Sequence, residues 1–390
     1  MFKHIEINNF KSLVNFSIDL QQMSVIVGNN ATGKSALLQA IDFMCRSVAE
    51  DFTIIIERRD WNVENVKSKM TKGSAKMTFR AIIGLDDHRD YEWEMNLNAI
   101  SSKNVLELSS EKIRDVDTGE LLLEYYSNRE GYIQGIDKKI FIPENFVMNA
   151  SMMKIVAKET KADERILKLK QFLLDSQSFE LLSPEKMRSS SRGDVKSIGM
   201  SGRDLPCFIK KMDAKKKEAF MTKIQEILGD RIEQVETQAT GKPGWIQIST
   251  KEKYKNVSVN INSKEMSDGM LRLLAFIAVC EMEKGDATFL LDEIENGINV
   301  NYAESLMKIL KKNCIEEQHQ LIVTTHSTAF LDYVDGTDII YLYRDDNGET
   351  KAKHLFESDK LKQKLEYMWP GEVLLNMSQA ELMEKLLEEN

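Results

Sequence analysis

Gly28-Asn29-Asn30-Ala31-Thr32-Gly33-Lys34-Ser35 is a complete G-x-x-x-x-G-K-S loop. Its glycines let backbone N–H groups crowd around phosphate oxygens, and a helix starting near Ser35 adds its positive end. Lys34 should reach the β- and γ-phosphates, and the Ser35 hydroxyl should ligate Mg²⁺. The flanks suit the motif. Ser24 to Val27 is a short apolar strand, and from Ser35 to about Glu50 the residues Leu37, Leu38, Ile41, Met44 and Cys45 share one helical face. Strand, loop, helix is the setting a phosphate loop requires. Far downstream, Thr288-Phe289-Leu290-Leu291-Asp292-Glu293 is an apolar strand ending in two carboxylates. Alone it is as easily a solvated acidic strand end. After a phosphate loop it places Asp292 at the carboxyl end of an α/β sheet, where ligands bind. Asp292 is then expected to hold Mg²⁺ through water, and Glu293 to orient and deprotonate an attacking water.

The chain has 390 residues, room for one large domain or two. A formal charge of −9 argues against a generally basic nucleic-acid coat, though not against a local basic patch. Cys45, Cys207, Cys280 and Cys314 are scattered, with no C-x-x-C pair, and read as buried thiols of a reducing compartment. Met1 to Glu6 opens directly as an alternating strand rather than a signal peptide. The longest strongly apolar stretch, Leu271 to Cys280 with Arg272 inside it, falls far short of the roughly 20 residues of a membrane span. A cytoplasmic protein with no membrane segment is expected.

Residues 2–8 and 14–20 alternate apolar and polar, as a half-buried hairpin does. From about 52 to 142 the period is two, with strands expected at 77–83, 91–97, 105–108 and 121–126. Residues 152–178 and 207–229 read as helices, and Ser189-Ser190-Ser191-Arg192-Gly193 between them as a mobile loop. Strands are expected near 231–237, 244–250 and 256–262. From 267 onward the order is helix, strand, helix, strand, the second half of an α/β core.

Met266-Ser267-Asp268-Gly269-Met270 starts the first of those helices. Ser267 suits an N-cap and Asp268 a first turn, while Gly269 removes a side chain where something approaches closely. The helix behind it (Leu271, Leu273, Leu274, Phe276, Ile277, Val279) is apolar almost all round and therefore buried. A later strand, Leu321-Ile322-Val323, runs into Thr324-Thr325-His326-Ser327. A single His at a strand end is ordinarily a satisfied polar residue.

The phosphate loop, Ser267–Gly269, Asp292-Glu293 and His326, in this order, resemble the ABC-type ATPase heads of the SMC, RecF and OLD (overcoming-lysogenization-defect) group. The opening Ile5-Glu6-Ile7-Asn8-Asn9-Phe10-Lys11-Ser12 resembles that group's first strand, and Glu295-Asn296-Gly297-Ile298-Asn299 its D-loop, with Asn299 where His is usual. Met270 departs from the Thr usual after Ser-Asp-Gly. The resemblance is specific over about 1–50 and 255–345 and loose elsewhere. It implies an α/β fold, an ABC-type P-loop ATPase head with an N-terminal antiparallel β lobe and a helical insertion. Residues 1–150 would form its first half, 151–230 the insertion, 231–345 the second half, and 346–390 a hairpin and helical tail.

The same resemblance implies ATP and Mg²⁺ as cofactors and a head-to-tail homodimer, or a higher even-numbered assembly. ATP on Gly28–Ser35 of one copy would be capped by Ser267, Asp268 and Gly269 of another. His326 would sense the γ-phosphate and Lys11 would lie near the nucleotide. Length excludes a long-armed chromosome protein. Asp115-Val116-Asp117 and Asp345-Asp346-Asn347-Gly348 read as turns rather than nuclease metal sites. An ATPase subunit coupled to a separate effector, a nuclease or toxin in bacterial anti-phage defence, is the leading expectation. A RecF-like DNA-repair ATPase using the Lys-rich stretches 154–170 and 210–217, and an ATP-holding scaffold with negligible turnover, stay open beside it. The tail 378–387 reads as a capped amphipathic helix that docks on its own core or on a partner.

Overall fold

Parallel strands buried on both faces read as mostly apolar runs, and three runs here fit: Met23–Val27, Thr288–Leu291 and Gln320–Thr324, every residue of which is buried, with Ser24, Thr288, Gln320 and Thr324 as the polar members. The computed structural model describes residues 1–71, 73, 75–86, 88–283 and 285–387. It places these runs in a six-stranded sheet ordered Gln177–Ser178, Thr288–Leu291, Gln320–Thr324, Met23–Val27, Ile339–Arg344, Thr350–His354. All neighbours are parallel except the last pair, a hairpin. Side chains alternate across such a sheet. Ile26, Leu290, Ile322, Ile340 and Leu342 therefore face one core, and Val25, Val27, Phe289, Leu291 and Val323 the other.

The first core is closed by the helix Lys34–Ser47 and by an eight-stranded antiparallel sheet. That sheet contains the expected hairpin, Phe2–Asn8 with Phe16–Asp19, and strands Lys76–Gly84, Asp90–Ile100, Val105–Asp115 and Leu121–Tyr126. Two more strands, Arg129–Ile133 and Ile140–Ile142, extend it beyond what the sequence signals. The second core is built on the buried helix Asp268–Val279 and on Ala303–Glu317. A third sheet of Ile232–Ala239, Ile246–Tyr254 and Val257–Asn262 stands beside it.

Several expectations are corrected. Residues 52–66 are not strands: Phe52–Arg58 and Val63–Val66 are helices, because Phe52, Ile55 and Ile56 sit on one helical face and are buried. Phe52 stacks on Phe43 with centroids 5.5 Å apart. The helix expected over 152–178 is confined to Glu164–Asp175, and Gln177–Ser178 has left it to pair with Phe289 and Leu290 at the edge of the parallel sheet. The helix expected over 207–229 is two, Leu205–Lys211 and Ala214–Leu228. The loop at 189–193 is pinned: Ser191 is buried and exchanges backbone hydrogen bonds of 2.9 and 3.0 Å with Ile246. Residues 115–120 do form a turn, with Asp115 buried and accepting from Thr118 N at 3.0 Å. The helix Gln379–Leu387 docks on its own chain through Leu382 and Leu386, which are buried. All four cysteines are buried free thiols. Among the described residues no helix is long and apolar enough to cross a membrane.

Candidate nucleotide site

The helix Lys34–Ser47 begins at Gly33, whose φ of 109° only glycine adopts readily, and no side chain caps it. Its first turn carries no acidic residue. The orphan N–H groups of such a terminus are an anion site. Lys34 Nζ donates to the Gly28 and Asn29 carbonyls at 2.9 Å each, so its ammonium lies inside the loop it belongs to. Burial pushes its pKa down, against the opposing pull of Asp292, Glu293 and Glu295.

The two parallel strands Thr288–Leu291 and Gln320–Thr324 bring the carboxylates to this loop. Ser35 Oγ donates to Asp292 Oδ2 at 2.9 Å. The Thr324 hydroxyl donates to Asp292 Oδ1 and accepts from the Glu293 N–H at 2.9 Å, fixing both acidic residues. Glu293 itself turns with φ 49°, which swings the chain out of the sheet. Two residues further on, Glu295 accepts from the Thr325 hydroxyl at 2.8 Å and from His326 N–H at 2.7 Å, both at the end of the neighbouring strand. Lys11, Ser12, Gly33, Lys34, Ser35, Asp292, Glu293 and His326 line one cleft of about 600 Å³.

Residues outside the motifs complete its wall. Lys67, Lys69 and Met70 line it, as does Arg344 from the C-terminal hairpin. The Lys11 N–H donates to the Val66 carbonyl at 2.7 Å, which docks that segment. Lys11 Nζ lies 3.7 Å from the Trp61 ring centroid and donates to Gln39. Burial and, more weakly, Arg59 lower its pKa to about 8, against the pull of Glu180. Behind Trp61, Arg59 pairs with Asp42 at 2.5 Å and with Glu180, all three side chains being buried. Nothing in the sequence pattern marks Arg344 or Arg59 as part of the site. Only Thr324 had a local cue, its place at the end of a strand beside the Asp-Glu strand.

Ser267 and Gly269 do not join this cleft. They line a separate one of about 400 Å³ with Gly297, Ile298 and Asn299. Ser267 caps its helix by accepting from Met270 N–H at 3.2 Å. Asp268 pairs with Arg188 at 2.5 Å. The close approach anticipated at Gly269 is made by the chain itself: a Cβ there would stand 1.9 Å from the Gly297 carbonyl oxygen.

Three lysines of the basic stretches are committed within the chain. Lys154 pairs with Asp51 at 2.7 Å, and Lys170 donates to the Lys154 and Val156 carbonyls. Lys211 pairs with Asp194 at 2.5 Å. Among the described residues no group of three His, Cys, Asp or Glu side chains is placed to hold a metal.

A mostly parallel sheet, a phosphate loop and an Asp-Glu strand end in contact with it define a P-loop ATPase head. Over residues 1–331 the chain matches the AAA ATPase domain family, and it belongs to that family. A Helicobacter pylori (strain ATCC 700392 / 26695) protein called ATP/GTP phosphatase is 21% identical over 351 residues, spanning 86% of this chain and 88% of that one. The SMC head bound to the C-winged helix domain of ScpA aligns with TM-score 0.54 at 15% identity, over 90% of this chain and 96% of that one. The Smc head with an extended coiled coil, bound to the C-terminal domain of ScpA derived from Pyrococcus furiosus, aligns with TM-score 0.51 at 13% identity, over 94% and 99%. At such identities the likeness is one of fold. The chain is an ATP-binding and hydrolysing ATPase with an SMC-like head.

Proposed function

We propose that this ATPase closes as a head-to-tail pair around two ATP molecules and passes that closure to a separate effector protein. One observation carries the reading: the phosphate loop and the Ser267–Gly269 helix start line different clefts of the same chain. A γ-phosphate held by Lys34 would therefore be capped by Ser267, Asp268 and Gly269 of another copy. On this reading 1–150 and 231–345 are the two halves of the head, 151–230 is an insertion, and 346–390 is a tail.

Within each site, Gly28–Ser35 would cradle the phosphates. The Ser35 hydroxyl and the Asp292 carboxylate are hard oxygen donors already in contact, a set that fits Mg²⁺. Bound there, the ion would offset charge on the β- and γ-phosphates. Glu293 would orient the attacking water and take its proton. His326, its backbone anchored by Glu295, would contact the γ-phosphate, and Lys11 would add charge at the same end. Loss of that phosphate on hydrolysis would release the cap.

Coupling to a separate effector is supported by analogy of fold: both SMC heads above are described with a domain of ScpA bound. An effector that is a nuclease or toxin, acting in bacterial anti-phage defence, is proposed by analogy with the ABC-type heads that the motif set resembles. The test uses Glu293→Gln, which holds ATP without turnover. Its mass by light scattering should double on adding ATP and Mg²⁺, and Lys34→Ala should stay monomeric. Unchanged mass and compactness with ATP would remove the paired model.

A further inference from the structure

The C-terminal hairpin, Ile339–Arg344 with Thr350–His354, lies beyond the residues that match the ATPase family, yet it grips the phosphate loop. Thr350 is fully buried, and its hydroxyl lies 2.7 Å from the Thr32 carbonyl and 2.8 Å from Ser12 Oγ. A carbonyl only accepts, so the single Thr350 proton goes to Thr32, and Ser12 is left to donate to Thr350. Thr350 N–H also donates to the Ser12 carbonyl at 3.0 Å. Nearby, Arg344 Nε donates to the Ala31 carbonyl at 2.9 Å, and its Nη1 to the Gly348 carbonyl at 2.6 Å. The packing is too close for any side chain at the loop glycines. A Cβ at Gly28 would stand 2.2 Å from the Leu342 carbonyl oxygen, and one at Gly33 2.4 Å from Thr350 Oγ1.

We propose that Thr350 and Arg344 are positioning residues of the nucleotide site, setting the loop so that its amides face the phosphates. A trans peptide is planar, with its C=O and the following N–H on opposite sides. Holding the Thr32 carbonyl toward Thr350 therefore aims the Gly33 N–H the other way, into the cleft. Holding the Ala31 carbonyl toward Arg344 fixes the crest of the loop, where Ala31 has the unfavourable φ of 63°. The helix behind Gly33 lacks any side-chain cap, so this hairpin supplies the rigidity a cap would give. The proposal rests on the phosphate-loop assignment of Gly28–Ser35.

The experiment measures ATP, ADP and AMP affinity by calorimetry, with KM, kcat and melting temperature, for the full chain and its variants. Thr350→Val is expected to weaken ATP and ADP binding alike by about 3- to 10-fold, the worth of one hydrogen bond. AMP, which ends at the α-phosphate, is expected to lose less, and KM to rise more than kcat falls. Thr350→Ser, which restores the hydroxyl, is expected to restore affinity. Arg344→Gln, at a partly exposed side chain, is expected to weaken ATP and ADP binding in the same way. A fall in melting temperature without loss of ADP affinity, or an equal loss in Thr350→Ser, would overturn the proposal in favour of a purely structural contact. Should Thr350→Val fail to fold, unchanged ADP affinity in Arg344→Gln overturns it alone. Lys34→Ala is the separate control: wild-type nucleotide binding in that variant refutes the phosphate-loop assignment itself.

Discussion

The cleft at the phosphate loop and the cleft at Ser267 are built from opposite resources. The first is made of charges: Lys11, Lys34, Lys67, Lys69 and Arg344 face Asp292 and Glu293 across about 600 Å³. The second uses its motif residues on the chain itself. Ser267 caps its own helix, Asp268 neutralises Arg188, and Gly269 makes room for the Gly297 carbonyl. Several charges gathered at one phosphate loop mark a site that binds on its own, although Lys34 and Arg344 also hold the loop's carbonyls. A helix start whose side chains are already satisfied offers mainly backbone and shape, and that suits a surface waiting for a charged group carried by another molecule.

The largest effect is expected when chemistry is removed from the first cleft alone. Glu293→Gln keeps shape and hydrogen bonding but cannot take a proton. Phosphate release should fall about 10²- to 10⁴-fold while ATP affinity is kept. Retained turnover would move the base elsewhere. The second cleft should break by a different route. Gly269→Ala puts a methyl group 1.9 Å from the Gly297 oxygen. Overpacking of that kind costs about 1–3 kcal/mol, read by urea unfolding. ATP affinity of the isolated chain should be unchanged, while ATP-driven association is lost. Loss of both together would mean the clefts are not separable.

How much of this could be read from the residues follows the same division. The phosphate loop, Asp292-Glu293 and the strands beneath them were legible because apolar runs and local motifs fix them. The contact between them, Ser35 with Asp292, follows once both strands lie in one parallel sheet. The period-two pattern misled at 52–66, where Ile54, Ile55 and Ile56 favour a strand by type, but Phe52 stacks on Phe43 and Ile55 and Ile56 join the same core from a helix. Ile140–Ile142 carried no alternation to detect, with Phe141 mostly exposed at a sheet edge. Arg344 and Thr350 were illegible for a different reason. Each meets the loop only because Ile339–Arg344 pairs with Met23–Val27, a tertiary fact that no local pattern encodes.

The first cleft should also respond to pH through Lys11, which lines it. The Lys11 pKa, lowered to about 8, leaves the side chain charged below pH 8 and increasingly neutral above it. Bound phosphate favours the charged form, so ATP binding takes up a proton in that range. Affinity should be level below about pH 8 and then fall by up to about tenfold per pH unit. Lys11→Arg, which stays charged, should flatten the profile. An unchanged profile in that variant would assign the titration to another group.

The smallest effect lies at the Asp268–Arg188 pair, Asp268 standing between Ser267 and Gly269 in sequence. Asp268 sits in the first turn of its helix, where a carboxylate is favourable to the helix but repels an incoming phosphate. Arg188 holds that charge, donating to Asp268 Oδ1 at 2.5 Å and to the Met266 carbonyl at 2.9 Å. Both side chains are substantially exposed, so the pair contributes only about 0.2–1 kcal/mol to folding, and Arg188→Ala should unfold at nearly the parent urea concentration. Its cost should appear in association instead, because the uncovered carboxylate then faces the triphosphate of another copy. ATP-driven pairing of Glu293→Gln should weaken by up to about fivefold in Arg188→Ala and recover when Asp268→Asn is added. If the double variant pairs no better than Arg188→Ala, the arginine acts on the phosphate directly rather than by masking Asp268.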